Sequence, residues 1–162
     1  MDPIRHTTID TPLGPLLAAA DAGGALTGLW FDRVPPRASE RDDSAFDALR
    51  GQLEAYFAGD LLDFDLPTAA AGTPWQRDVW SELASVPYGQ TLAYGELARR
   101  LGRPSAARAV GAANGRNPLS IVVPCHRLIG ASGALTGYAG GLSRKEWLLR
   151  HEAARAPDLQ AQ

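Results

Sequence analysis

One run of seven residues, Ile121-Val122-Val123-Pro124-Cys125-His126-Arg127, constrains this chain more than any other stretch. It holds the sole cysteine of the 162 residues, placed after a β-branched apolar run and before two residues able to carry or move protons. β-Branched residues suit a covered, pleated surface, and a proline biases the residue before it towards extension. Residues 121–123 therefore predict a short buried strand that ends at Cys125. The thiolate is the reactive form of cysteine, and a neighbouring base or positive charge favours it, which His126 and Arg127 can supply. Adjacent side chains of an extended chain face opposite ways, so His126 needs a bridging water or a bend after Pro124 to take the Cys125 proton. A buried small hydrophobe beside a structural histidine is the alternative reading of the same pair.

The length supports one sizeable core or two small ones, and 45% hydrophobic with 21% charged residues is ordinary for a soluble globular chain. A single cysteine excludes an internal disulfide, and no apolar run reaches membrane-spanning length or has the layout of a secretory signal. The expected location is the cytoplasm, where a thiol stays reduced. The charge is divided unevenly: residues 1–87 hold six Lys/Arg against fourteen Asp/Glu, whereas residues 88–152 hold nine against three. The basic second part suits a polyanionic partner, although a solvated charged face gives the same count.

Along the chain, residues 5–9, 13–20 and 25–31 read as short strands separated by turn residues, a small antiparallel sheet. Pro35-Pro36 opens a charged loop. A helix is expected over 44–58, with Phe46, Leu49, Leu53 and Phe57 on one apolar stripe and Gly59 ending it. Residues 69–72 are a plausible linker. Thr73-Pro74-Trp75-Gln76 combines an N-cap, a first-turn proline and the capping-box glutamine, predicting a helix to about Ser85 with Trp75, Val79, Leu83 and Trp80 in a core. Thr91 can cap a helix to Leu101, Gly102-Arg103-Pro104 breaks it, and Ser105 can cap another to Ala113 or Asn114, which describes a helix-turn-helix. The second of these helices is made of small residues, with Arg108 as its long polar side chain. That favours close, sequence-tolerant approach to a minor groove, or else tight packing in a core. Ser143-Arg144-Lys145-Glu146 reads as a capping box opening a last helix to His151-Glu152, with a polar tail after Ala153.

The fold class expected is thus α/β of the α+β kind: a small antiparallel sheet with a helix, followed by a mainly helical domain containing a helix-turn-helix. The domains are placed at 1–70, a structural α/β domain, and 71–155, with 156–162 a tail.

Pro-Cys-His-Arg after Ile-Val-Val, with Asn117-Pro118 upstream and Gly137-Tyr138-Ala139-Gly140-Gly141 downstream, closely resembles the O6-alkylguanine-DNA alkyltransferases, also called methylated-DNA–protein-cysteine methyltransferases. The resemblance runs from near Thr73 to Glu152, about half of the chain. It implies irreversible transfer of a methyl or small alkyl group from guanine O6, and from thymine O4, to Cys125, with one turnover because a thioether has no easy leaving group. It implies a relay from Glu152 through His126 and a water to Cys125, with Tyr94 donating a hydrogen bond to the leaving base. It implies double-stranded DNA as the partner, bound through the minor groove by a monomer, and leaves cooperative binding on DNA open. Arg108 fills the space of an extruded base, and Ala106, Ala107, Gly111, Asn114 and Arg116 lie along the DNA-facing helix. Asn117 joins that helix to the cysteine segment, and Tyr138, Ala139 and Gly140 wall the base pocket. Many relatives carry serine where this chain has Ala139, leaving only backbone amides to meet the guanine oxygen. No cofactor is expected. Relatives that hold zinc in the front domain use cysteine and histidine ligands; only His6 is present here, so no metal is expected either.

Two other functions use the same residues. A DNA-damage sensor or regulator with a helix-turn-helix needs no chemistry, but relatives of that kind replace the cysteine. A cysteine hydrolase built on Cys125, His126 and Glu152 would turn over and has little need of a helix-turn-helix.

Overall fold

In the computed structural model, which describes residues 3–160 with side chains as far as Arg155, the chain forms two compact units. One takes the residues up to Ala71 together with Pro118–Ser120; the other takes Gly72–Asn117 and the chain from Ile121 onward.

In the first unit, strands β1 (Ile4–Ile9), β2 (Leu16–Ala20) and β3 (Leu26–Phe31) pair antiparallel in sequence order. Every residue of β2 is buried, as a central strand covered on both faces requires. A fourth strand, β4 (Ser39–Arg41), adds parallel to β1 and gives the order β3-β2-β1-β4. The charged loop expected there thus contributes an edge strand. Ser-Glu-Arg carries no apolar alternation, and these residues are recruited by unpaired backbone groups of β1 rather than by burial. On the other side, Leu29 N–H donates to Pro118 O at 2.7 Å and Ser120 N–H to Leu29 O at 3.0 Å.

Helix α1 (Asp47–Phe57) follows a 3₁₀ turn at Asp43–Phe46; the turn buries Phe46 and the helix buries Leu49, Leu53 and Tyr56. Tyr56 completes the stripe where Phe57 was expected. Both lie near the face defined by Leu49 and Leu53, and tertiary packing selects the tyrosine, which is fully buried against Phe64. Gly59, at φ +83°, closes the helix with Asp60 N–H on Ala55 O at 2.8 Å.

The second unit opens as its cap chemistry dictates. Thr73 Oγ1 accepts from Gln76 N–H at 3.1 Å, and Gln76 Oε1 accepts from Thr73 N–H at 3.0 Å, starting α2 (Pro74–Leu83). Val79, Trp80 and Leu83 are buried, while Trp75 is half-exposed. Both indoles donate to α4 (Ala107–Gly115): Trp75 Nε1 to Ala109 O at 3.1 Å and Trp80 Nε1 to Ala113 O at 2.8 Å. Small residues on α4 permit this approach, so the Ala/Gly content serves packing on one face.

The helix-turn-helix is shorter than expected. Thr91 caps nothing, because Leu92–Ala93 is drawn into a two-residue strand, β5, parallel to β6 (Leu128–Ile129), and α3 spans Tyr94–Arg100. Gly102, at φ +73°, ends α3, and α4 begins after Ala106 without a side-chain cap. The last helix, α5 (Leu142–Gln160), begins one residue before Ser143 and runs past the expected end at His151-Glu152. No helix among the described residues is long and apolar enough to cross a membrane.

Candidate active site

Residues 121–123 form no strand. Ile121 and Val122 lie in a turn, with Ile121 at φ +72°, a conformation that costs a β-branched residue about 1–3 kcal/mol. Pro124, at φ −79° and ψ 62°, is the centre of an inverse γ-turn in which Cys125 N–H donates to Val123 O at 2.7 Å. Cys125–Arg127 then makes one 3₁₀ turn before β6. The proline ring therefore bends the chain at the cysteine, whereas its effect on Val123 suggested extension. Of the two alternatives, a bridging water or a bend after Pro124, the chain does make the bend.

Two asparagines hold the bend. Asn117 Nδ2 donates to Val123 O at 3.0 Å, and its side chain also hydrogen-bonds the Cys125 sulfur. Asn114, expected on the DNA-facing surface, is instead buried and donates through Nδ2 to Cys125 O at 3.3 Å. The geometry assigns it to supporting the turn rather than to an exposed contact.

Cys125 is 3% exposed, and burial pushes its thiol up to about 11, opposed by the Asn117 hydrogen bond and the Lys145 charge. The resting sulfur is thus a neutral thiol, and a base is needed. His126 and Glu152, 26 residues apart, meet in the interior: Nε2–H donates to Glu152 Oε2 at 2.8 Å, leaving Nδ1 as the lone-pair nitrogen. Nδ1 is buried and has no hydrogen-bond partner among the described residues. Burial holds His126 below its ordinary range against the pull of Glu152, so the ring is neutral and able to accept a proton. Burial alone would raise the Glu152 carboxyl; the charge and hydrogen bonds of His126 and Arg127 outweigh it and hold the group well below the usual carboxylate range.

Arg127 was expected to lend charge to the cysteine. It grips Glu152 instead, with Nε on Oε1 at 2.8 Å and Nη2 on Oε2 at 3.0 Å, while Nη1 donates to Val86 O at 2.7 Å. Lys145 was missed. Its place in the apparent capping box reads as a surface charge, yet it is fully buried, with Nζ donating to Leu128 O at 2.5 Å and Thr136 O at 2.7 Å. Its neighbours give no signal of this: of Leu142 and Leu148, each about one turn away on α5, the first is exposed and the second buried.

A cleft of about 430 Å³ is lined by Tyr94, Ala107, Arg108, Gly111, Gly130 and Thr136. Tyr94, half-buried at the start of α3, donates to Thr136 O at 3.3 Å and accepts from Thr136 Oγ1 at 3.0 Å. Gly111 faces its ring, where a Cβ would stand 3.4 Å away. Arg108 is exposed at the rim, and Ala106 is half-buried at the helix start. Arg116 is exposed on another side of α4, where it lines a second cleft with Trp75 and Ala112. In the loop from Gly130 to Gly141, Tyr138 is half-buried, Ala139 exposed and Gly140 buried, the last accepting from Arg144 Nη1 at 3.2 Å. Among the described residues no three His, Cys, Asp or Glu side chains gather to hold a metal ion.

Residues 74–154 match the 6-O-methylguanine DNA methyltransferase DNA-binding domain, and residues 4–70 match the ribonuclease-like domain of the same proteins. The chain is 50% identical over 158 residues to the methylated-DNA–protein-cysteine methyltransferase of Mycobacterium tuberculosis, covering 95% of each. It is 47% identical over 154 residues to the protein of that name from Methanosarcina acetivorans, covering 92% of this chain and 98% of the relative. The crystal structure of Mycobacterium tuberculosis OGT in complex with DNA superposes with a TM-score of 0.89 at 49% identity, covering 93% of this chain and 94% of that one. The two domain models together span most of the chain, the relatives match it over nine-tenths or more of its length, and the chain belongs to the 6-O-methylguanine DNA methyltransferase family.

Proposed function

We propose that this protein moves a methyl or small alkyl group from guanine O6, and from thymine O4, in double-stranded DNA to the sulfur of Cys125, once per molecule. The observation that carries the reading is the buried Glu152–His126 hydrogen bond, 2.8 Å, which leaves Nδ1 as a base on the residue next to a neutral thiol. A water relays the thiol proton to Nδ1, and Glu152 stabilises the imidazolium that results. Sulfur then attacks the alkyl carbon. The S–C bond forms, the C–O6 bond breaks, and the departing base takes the electron pair and one proton, so the proton lost by the thiol is balanced. Tyr94 serves as the hydrogen-bond donor to that base. The product thioether offers no leaving group to His126, and the protein is consumed.

The target atom is unreachable in a stacked duplex, and extrusion costs roughly a few kcal/mol. Arg108, exposed at the cleft rim, occupies the vacated space, while the small residues Ala106, Ala107 and Gly111 let α4 approach a minor groove without reading sequence. Tyr138, Ala139 and Gly140 wall the base pocket. The unit up to Ala71 acts as a structural cap, the second unit binds DNA and reacts, and the protein acts as a monomer.

Intact mass after exposure to a duplex carrying O6-methylguanine tests this. A gain of one methylene, confined to Cys125 and saturating at one per chain, is the expected result. Unchanged mass with retained binding would indicate a damage sensor, and repeated turnover a cysteine hydrolase.

A further inference from the structure

Thr136 lies in the loop that faces α3 and α4 across the cleft, and its hydroxyl donates to the Tyr94 phenol oxygen at 3.0 Å. We infer that Thr136 is a positioning residue for leaving-group departure: through this hydrogen bond it aims and polarises the Tyr94 phenol towards the outgoing base. The inference rests on the reading that Tyr94 donates to that base.

The phenol has one hydrogen to give and oxygen lone pairs to receive. At rest its hydrogen points to Thr136 O at 3.3 Å, the longer of the two bonds. That carbonyl has a second donor, the buried Lys145 Nζ at 2.7 Å, so it stays satisfied when the phenol hydrogen swings into the cleft. Redirection therefore gives up one long hydrogen bond and orphans nothing. The donation from Thr136 Oγ1 can persist throughout, and a hydroxyl that accepts one hydrogen bond donates the next more strongly. Two contacts limit where the phenol can go. Gly111 lets the ring lie against α4, and Lys145 ties Thr136 to β6 through Leu128 O, although Thr136 itself is exposed. A threonine in a glycine-bearing loop thus has the same anchor as the strand that follows the nucleophile.

The test is a double-mutant cycle on single-turnover alkyl transfer, with Thr136→Val, Thr136→Ser and Tyr94→Phe. The substrates are free O6-benzylguanine and its 8-bromo analogue, whose guanine leaves more easily. Thr136→Val should slow transfer from O6-benzylguanine about fivefold to tenfold, the range of one lost hydrogen bond, and Thr136→Ser should stay within about twofold of the parent. The Val effect should shrink with the 8-bromo substrate and vanish in the Tyr94→Phe background. Unfolding temperature and affinity for unmodified duplex, measured alongside, should be unchanged. A Thr136→Val rate equal to the parent, or a loss of the same size in the Tyr94→Phe background or with both substrates, overturns the inference while Tyr94 keeps its role. A harmless Tyr94→Phe overturns the role of Tyr94, and the inference with it.

Discussion

Asn114 Nδ2 and Cys125 O lie 3.3 Å apart in the interior, so the helix with the exposed Arg108 on one face carries on another a direct tie to the backbone of the reactive cysteine. Replacing Asn114 by Ala removes this donor while the Leu128 N–H still bonds the Cys125 carbonyl, so the cost is that of one hydrogen bond, about 0.5–1.5 kcal/mol. Stability and the transfer rate should both fall, while affinity for unmodified duplex stays within error. A variant that loses DNA affinity and keeps its stability would restore Asn114 to the DNA-facing surface.

Cys125 and His126 set the pH range of the reaction from opposite ends. Burial raises the thiol to about 11 and lowers the imidazole, so the neutral pair that reacts persists between the two. Single-turnover rates should plateau from near neutrality through pH 9.0, the ordinary thiol value, without a break there. They should fall only on the acid side, below the ordinary imidazole value of 6.5, as Nδ1 is protonated. An inflection at the ordinary thiol value would mean that solvent, not His126, takes the proton.

Glu152 governs acid stability. Its folded value is depressed, so the unfolded chain binds the extra proton, and the stability it contributes is complete above the unfolded value near 4.5 and lost as pH falls below it. Glu152→Gln leaves Arg127 buried without its carboxylate and should cost about 3–5 kcal/mol at neutral pH. Denaturant titrations of the two proteins from pH 7 to pH 3 should converge; parallel curves would show that the carboxylate is not what Arg127 and His126 need.

At Ile121 two effects compete. Glycine would relieve the positive φ, worth about 1–3 kcal/mol, but would empty a site where the isoleucine is 1% exposed, and losing a buried side chain of this size costs about 2–5 kcal/mol. Burial should win narrowly, with Ile121→Gly destabilised by about 1–2 kcal/mol, the difference of those ranges. A more stable variant would mean that strain dominates at the turn.

Arg108 is exposed and makes its contribution, on the proposed reading, only when a base has left the stack. Arg108→Ala should slow transfer from duplex by tenfold or more, about the effect of one lost ionic hydrogen bond, yet leave the reaction with free O6-benzylguanine nearly unchanged. Equal losses on the two substrates would remove it from extrusion.

The sequence by itself determined whatever depends on a few neighbouring residues. The cap at Thr73 formed because its donors and acceptors lie three residues apart, and Gly59 and Gly102 ended helices because their own backbones tolerate positive φ. The presence of a thiol, an imidazole and an arginine in succession was likewise legible, as was the family resemblance those residues carried. Tertiary structure alone decided the rest. Whether Pro124 extends or bends its surroundings depended on Asn117 reaching Val123 O, and whether Arg127 serves the sulfur or the carboxylate depended on α5 returning Glu152 from 25 residues away. Lys145 is buried because three carbonyls from the strand and loop converge on its Nζ, an arrangement with no trace in the residues beside it. Hydrogen bonds across such separations form only once the intervening chain is folded, so neither propensity nor spacing can announce them.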